Sequence, residues 1–355
     1  MKLLRILALL VFLSFSKTAH GEDAELRIGV IASLTGFAAP YGKAVVEGAQ
    51  VAVAKLAKSN VKVRLIIEDD RSETRGAATA YQKLKDIDKI QALIGGSWWV
   101  NGIVKTVERD PIPFISCETL YNKDFIKGKN YFSLAGDLRD WIKSLVPLIK
   151  EKQWNTIVMV RFVSGFADTL EAELRVAFAP PDRKFLAALE YSDIEMTGAS
   201  TLAARTVALK PDVVFVDSQP QTFAIFVREL EKLKADNIVV LTHSVADDAA
   251  KQRLFDIGKY EGRLYFLRRS SYNSELLKDF QALSTVEPQL NADLGYYAVR
   301  LAVEAIKSGT DPVATLRAGL VVDGIQFSFD ENNVSHTVVQ EVYGVRDGQV
   351  IKVSK

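Results

Sequence analysis

Residues Leu26–Leu56, LRIGVIASLTGFAAPYGKAVVEGAQVAVAKL, constrain the fold more than any other stretch. A short apolar run, Leu26–Ile31, passes through Ser33, Leu34, Thr35, Gly36, Ala38, Pro40, Tyr41 and Gly42 into a long amphipathic helix. Strand, glycine-punctuated loop and helix in that order place the loop and the helix N-terminus at the C-terminal edge of a parallel sheet. Open α/β folds hold ligands at that edge. A dinucleotide cradle is excluded, because Gly29, Gly36 and Gly42 lack the G-x-G-x-x-G spacing of the turn that admits a pyrophosphate.

The alternation continues. Val61–Asp69, Ala92–Ile94 and Pro113–Ser116 read as strands, with helices over Val45–Ser59 and Gly76–Lys85, so the first third builds βαβ units. From Asn130 a second run begins with an extended Tyr131–Leu134 and a helix capped by Asp137. Strands at Thr156–Val160, Phe185–Tyr191, Val213–Val216, Ile238–Leu241 and Leu264–Phe266 follow, separated by helical segments. Two helices without an intervening strand, Ser274–Leu283 and Ala292–Lys307, cover a sheet already built. The tail, Gln326–Phe329, His336–Val345 and Gln349–Val353, reads as antiparallel edge strands with turns at Asp330–Asn333 and Arg346–Gly348.

At 355 residues the chain exceeds the roughly 250–300 beyond which single cores split. The expected fold is α/β, with two Rossmann-like lobes on parallel central sheets: 22–132 with 267–322, and 133–266 with 323–355. Three hinge crossings join them and allow closure about a common axis.

The first residues give an address. Lys2 and Arg5 open Leu3–Phe15, an apolar run broken by Arg5 and Ser14, and small residues follow at Ala19 and Gly21. This is the layout of a cleaved signal peptide over 1–21, cut after Ala19 or Gly21. The run is shorter than the roughly 20 residues needed to span a bilayer. The formal net charge is +1, and the leader carries Lys2, Arg5 and Lys17 with no acid, so the remainder is slightly acidic. No basic stretch stands out, which speaks against nucleic acid as a partner. Cys117 is the single cysteine, so no intrachain disulfide forms, and export to a periplasm fits better than a small stapled extracellular module.

Few residues invite chemistry. Trp98 and Trp99 follow the third strand, where a loop above a sheet lets one of them face a cleft. Cys117, Glu118 and Thr119 stand at the same edge after the fourth strand. Ser164 in VSGFAD lacks the G-x-S-x-G elbow of a hydrolase. The histidines His20, His243 and His336 are scattered, and only His243 sits near a cleft, so no metal and no cofactor are expected. Asp69 and Asp70 are expected to cap the following helix or to pair with Arg71 and Arg75.

The chain resembles the type I periplasmic solute-binding proteins of the branched-chain amino acid class, the receptors of ABC importers. The resemblance rests on IGVIASLTGFAAPYGKAVVEGAQVAV at 28–53, LIIEDDRSETRGAATAYQKL at 65–84, ALIGGSWWVNG at 92–102 and PIPFIS at 111–116. It continues through YFSLAGD at 131–137, VRFVSGFADTLEAEL at 160–174 and GIQFSFDENN at 324–333. It implies a monomer without enzymatic activity that captures an amino acid or related solute between its lobes and delivers it to a membrane permease. A ligand-sensing or adaptor role on the same fold is the alternative.

Carried over by position, Ser33, Leu34 and Tyr41 of the first loop and Ser97, Trp98, Trp99 and Val100 of the third-strand loop face the solute. The chain departs from the family's pattern elsewhere. Glu118 and Thr119 replace the segment that holds an α-carboxylate. Ser164 stands where a tyrosine precedes Gly165 and Phe166, and Ser218, Gln219 and His243 form the other second-lobe rims. A carboxylate at Glu118 opposes a ligand carboxylate unless it is paired or protonated. The aromatic residues therefore favour a flatter or more apolar solute than a zwitterionic amino acid in the usual pose.

Overall fold

The computed structural model describes residues 25–353 except 37, 122–128, 194, 244, 270–273, 284–290 and 338. The leader expected over 1–21 lies outside the described residues. In strand β1 (Leu26–Ala32), Ile28 and Val30 turn to one face and Ile31 to the other, all fully buried. This is the period-two pattern of a strand covered on both sides. It pairs in parallel within a five-stranded sheet of order β2-β1-β3-β4-β5, whose other members are β2 (Val63–Asp69), β3 (Ala92–Gly96), β4 (Phe114–Ser116) and β5 (Tyr131–Ser133).

One face is covered by α1 (Ala39–Lys58), whose Val45, Ala49, Ala52 and Leu56 recur at helical spacing. The long helix α11 (Ala292–Lys307) lies against it, and α10 (Ser274–Leu283) adds Leu276 and Phe280 to the same core. Where α1 and α11 cross, a Cβ on Gly48 would stand 1.7 Å from the Ala292 carbonyl oxygen, and one on Gly295 would stand 2.0 Å from that of Val45. Only glycine permits the two backbones to meet so closely. The other face is covered by α2 (Thr74–Asp86) and the short helices α3 (Trp98–Asn101) and α4 (Val104–Val107). Ala77, Tyr81, Leu84 and Val107 pack there with Ile31, Leu93, Phe114 and Tyr131.

The second sheet has seven strands in the order β14-β13-β10-β9-β8-β6-β7. Its parallel part comprises β6 (Thr156–Phe162), β7 (Lys184–Tyr191), β8 (Val213–Asp217), β9 (Val239–Thr242) and β10 (Leu264–Arg269). Strands β13 (Gln340–Arg346) and β14 (Gln349–Lys352) add an antiparallel edge. Val158, Val160, Val214, Val216 and Val240 pack beneath α7 (Ala199–Leu209), α8 (Pro220–Lys232) and α9 (Val245–Lys251). Ile157, Met159, Val213, Phe215 and Leu241 pack beneath α5 (Leu138–Glu151) and α6 (Gly165–Ala177). Continuous apolar strands such as Val213–Val216 arise because both faces are covered.

The strand and helix alternation read from the sequence is thus found in both halves, and the tail supplies antiparallel strands. Gln326–Phe329 differs: β12 (Ile325–Phe327) pairs with β11 (Leu320–Val322) in a separate hairpin, and Val322 and Phe327 bury in the core beneath α11. His336 precedes β13 instead of lying in a strand, because Val334 and Ser335 bridge to Ser133 and Phe329 first.

The α1–α11 crossing yields a stability test. Gly48→Ala is expected to lose roughly 2–4 kcal/mol in urea denaturation although alanine has the better helix propensity by about 1 kcal/mol. Gly198→Ala, where a Cβ meets nothing within 4 Å, is expected to change little. Equal stability of Gly48→Ala and the parent would contradict the close crossing.

Candidate functional site

The C-terminal ends of strands from both sheets converge on one cavity of about 550 Å³. From the first sheet come Trp98 and Trp99 after β3 and Cys117, Glu118 and Thr119 after β4, with Tyr41 from α1 beside them. From the second come Phe162 to Phe166 after β6, Tyr191 at the end of β7, Asp217 to Gln219 after β8, His243 after β9 and Arg269 at the end of β10. The Tyr41 hydroxyl donates to Gln219 Oε1 at 2.7 Å and ties the two sides together.

The loops of the first sheet are fixed by two acids. The buried Asp70 accepts the Ser33 hydroxyl at 2.7 Å and the Ser72 amide at 2.8 Å on Oδ1, and the Ser97 hydroxyl on Oδ2. Asp69 accepts the Thr35 hydroxyl at 2.6 Å and the amides of Leu34 and Arg71, and these hydrogen bonds hold its carboxyl below the usual range. The pair therefore fastens the ends of β1, β2 and β3 together, a role the expected pairing with Arg71 and Arg75 did not include.

Four residues expected to face the solute do not line the cavity. Ser33 and Ser97 turn down to Asp70, and Val100 is fully buried against the helical layer beneath the sheet, so none of the three lines the cavity. Leu34 likewise does not line it. Tyr41, Trp98, Trp99, Glu118, Thr119, Phe166, Ser218, Gln219 and His243 all stand at its wall.

The wall is aromatic on both sides. Tyr41 and Trp98 have ring centroids 6.3 Å apart, and Trp98 and Trp99 6.1 Å. Opposite them, Phe166 meets Trp141 at 5.8 Å and Tyr121 at 6.1 Å, and Trp141 meets His243 at 5.8 Å. Phe162 and Tyr191 pack at 5.5 Å. Sequence reasoning missed Tyr121, Trp141, Phe162, Tyr191, Asn291, Arg269 and Gln340. Trp141 lies on a helix and Tyr191 at a strand end some distance from any motif; only the position of Arg269 at the close of a strand gave a usable signal.

The polar groups are few and strongly placed. Burial pushes the Glu118 carboxyl up to about 8, against the opposing pull of Arg269 and with a further push from Asp70. Arg269 donates to Asp293 Oδ1 at 3.0 Å. Glu118 Oε1, Arg269 Nη1, Ser218 Oγ and the indole nitrogens of Trp99 and Trp141 are buried without a hydrogen-bond partner among the described residues. His243 Nε2 lies 3.3 Å from Asp217 Oδ1. Ser164 Oγ is committed to the amide of Ala167 as the cap of α6. Burial drives the Cys117 thiol well above its ordinary value, so it is not an activated nucleophile.

A second cavity, of about 190 Å³, adjoins the first and is lined by Asp137, Asp140, Ser335 and His336. Among the described residues no cluster of three His, Cys, Asp or Glu could hold a metal, and no helix is long and apolar enough to cross a membrane.

A family model described as "Periplasmic binding protein" matches residues 25–343. No curated protein sequence matches the chain. Among solved structures, the branched-chain amino acid transporter substrate binding protein LivJ from Streptococcus pneumoniae, in complex with isoleucine, is 20% identical. The match covers 93% of this chain and 100% of that one, with a TM-score of 0.78. An ABC transporter solute binding protein from R. palustris in complex with benzoate is 17% identical, covering 93% and 96%, with a TM-score of 0.77. Another, from Rhodopseudomonas palustris in complex with 3,4-dihydroxy benzoic acid, is 16% identical over 93% and 96%, with a TM-score of 0.74.

Glu118 makes stability depend on pH. An unfolded glutamate releases its proton near 4.5 and the folded one near 8, so the folded state is penalised increasingly as pH rises between those values. Glu118→Gln removes the penalty. It is expected to be more stable than the parent by about 2–4 kcal/mol at pH 8 and no more stable at pH 4, as read by urea denaturation. A difference independent of pH would contradict the assignment.

Proposed function

Because the chain belongs to the periplasmic binding protein family, we propose that it is the extracytoplasmic solute-binding receptor of an ABC importer. It captures a small solute in the cavity between its two sheets and hands it, chemically unchanged, to a membrane permease. The leader over 1–21 directs export and is removed, and the mature protein works as a monomer in the periplasm.

The observation that carries this reading is the cavity itself. Its volume of about 550 Å³ is that of a small-molecule site. Its walls come from the strand ends of both sheets, so a bound solute touches both halves. The chain passes between the sheets after β5, after β10 and after β12, and such crossings let two bodies close around what they hold. The Tyr41–Gln219 hydrogen bond joins the two sides across the cavity.

The cargo is an aromatic or carboxylate-bearing solute. Tyr41, Trp98 and Trp99 on one side and Trp141, Phe166 and His243 on the other offer faces for a planar ring, and such pairs favour offset or edge-on contacts. Two of the similar structures are described with benzoate and 3,4-dihydroxy benzoic acid.

Three of the chain's tryptophans, Trp98, Trp99 and Trp141, stand at the wall, so ligand binding is read directly by their fluorescence. In a screen of aromatic and aliphatic carboxylates, the parent is expected to bind aromatic acids, and Trp98→Ala with Trp99→Ala to weaken them at least ~10-fold. Unchanged affinity for every solute would sink the aromatic reading.

A further inference from the structure

Glu118 and Arg269 reach the cavity wall from opposite sheets, one after β4 and the other at the end of β10. Each carries a buried atom without a partner among the described residues: an acceptor or hydroxyl oxygen on Glu118, Oε1, and a donor on Arg269, Nη1. The guanidinium is anchored through Nη2 to Asp293 Oδ1 at 3.0 Å, which leaves Nη1 uncommitted. Buried polar atoms in native proteins are almost always satisfied. Two unsatisfied atoms at the wall of one cavity therefore mark where a ligand's polar group belongs.

We propose that Glu118 and Arg269 form the polar end of the cavity and select an aromatic carboxylate. Arg269 Nη1 donates to one ligand oxygen, and Glu118, as a neutral carboxylic acid, donates its O–H to the other. This rests on the reading of the cleft as the solute site and specifies its cargo. No proton is transferred; the anion's charge is met by a guanidinium already in place.

The charges facing Glu118 explain why it acts as a donor. From β10 comes Arg269, whose charge is shared with Asp293 at the start of α11. Asp70, at the end of β2, presents a second carboxylate. Tyr41 of α1, Tyr121, Tyr131 of β5 and the neighbouring Cys117 are themselves raised by burial, so all four are neutral. Across the cavity stand the Asp217–His243 pair and Asp248 of α9, the last raised to about 6 by burial. Among the described residues no unshared cation holds Glu118 ionised, and its carboxyl lies near 8. A carboxylic acid kept neutral at pH 7 is a hydrogen-bond donor. Ionised, the same group would repel a carboxylate ligand and attract an amine.

Three probes of one shape separate the cases: benzoate, neutral benzamide and cationic benzylamine, titrated calorimetrically into the mature protein between pH 7.5 and 9.5. Benzoate is expected to bind at least ~10-fold tighter than either analogue at pH 7.5. Its affinity then falls ~20-fold by pH 9.5, with proton uptake, as the acid form of Glu118 is lost. Glu118→Gln, whose amide N–H still donates, abolishes the pH dependence and the proton uptake, and Arg269→Gln abolishes benzoate binding. The assignment is overturned if benzamide or benzylamine matches benzoate, if benzoate affinity is flat with pH in the parent, or if Glu118→Gln keeps the parent's pH profile. Those results leave the aromatic reading of the cleft standing. Failure of all three probes to bind overturns both.

Discussion

A single buried carboxylate organises the first half of the cleft. Asp70 accepts hydroxyls from the ends of β1 and β3 and an amide from its own turn, so three loops are set by one group. Leaving such a group unmatched would cost more than any one of its hydrogen bonds contributes, which makes the arrangement all or none. With Ser97 turned down to Asp70, the chain leaves β3 into α3 so that Trp98 and Trp99 stand at the cavity wall while Val100 is packed beneath the sheet. Gly76 adjoins the same point: a Cβ there would stand 2.0 Å from the Asp70 carbonyl oxygen, so the start of α2 presses directly on the turn.

The second half achieves the same end with hydrophobic contacts. Phe166 meets Trp141, His243 and, from the loop after β4, Tyr121 edge to face, Trp141 meets His243 at a tilt, and rigid rings lose little entropy on meeting a ligand. The cleft is thus a firm aromatic slot on each side with sparse polar groups between. That division explains why the polar residues there are unusual: Glu118 is displaced toward its neutral form because the surrounding rings exclude water and only Arg269 offsets the loss of solvation.

Most of the architecture was legible because it follows from periodicity. Buried strands such as Val213–Val216 and the glycine-punctuated loop after β1 announce a parallel sheet and its ligand-binding edge. Nine of the residues assigned to the cleft stand at its wall. Ser33, Ser97 and Val100 do not, for a physical reason: position on a loop does not fix side-chain direction, and a hydroxyl beside a buried carboxylate satisfies that first. Tyr121, Trp141 and Tyr191 were illegible since the fold brings them together across long sequence separations, with no local motif to mark them. The β11–β12 hairpin was misplaced because alternation identifies a strand and not its partner.

A cleft that holds a small solute in transit should be occupied when the protein is recovered gently from its own host, and native mass spectrometry reads that occupancy. The expected result is a one-to-one adduct, lost on unfolding, whose released component carries an aromatic ring and a carboxylate. A polypeptide that carries no adduct as recovered, and gains none with aromatic or aliphatic acids supplied in excess, would contradict it.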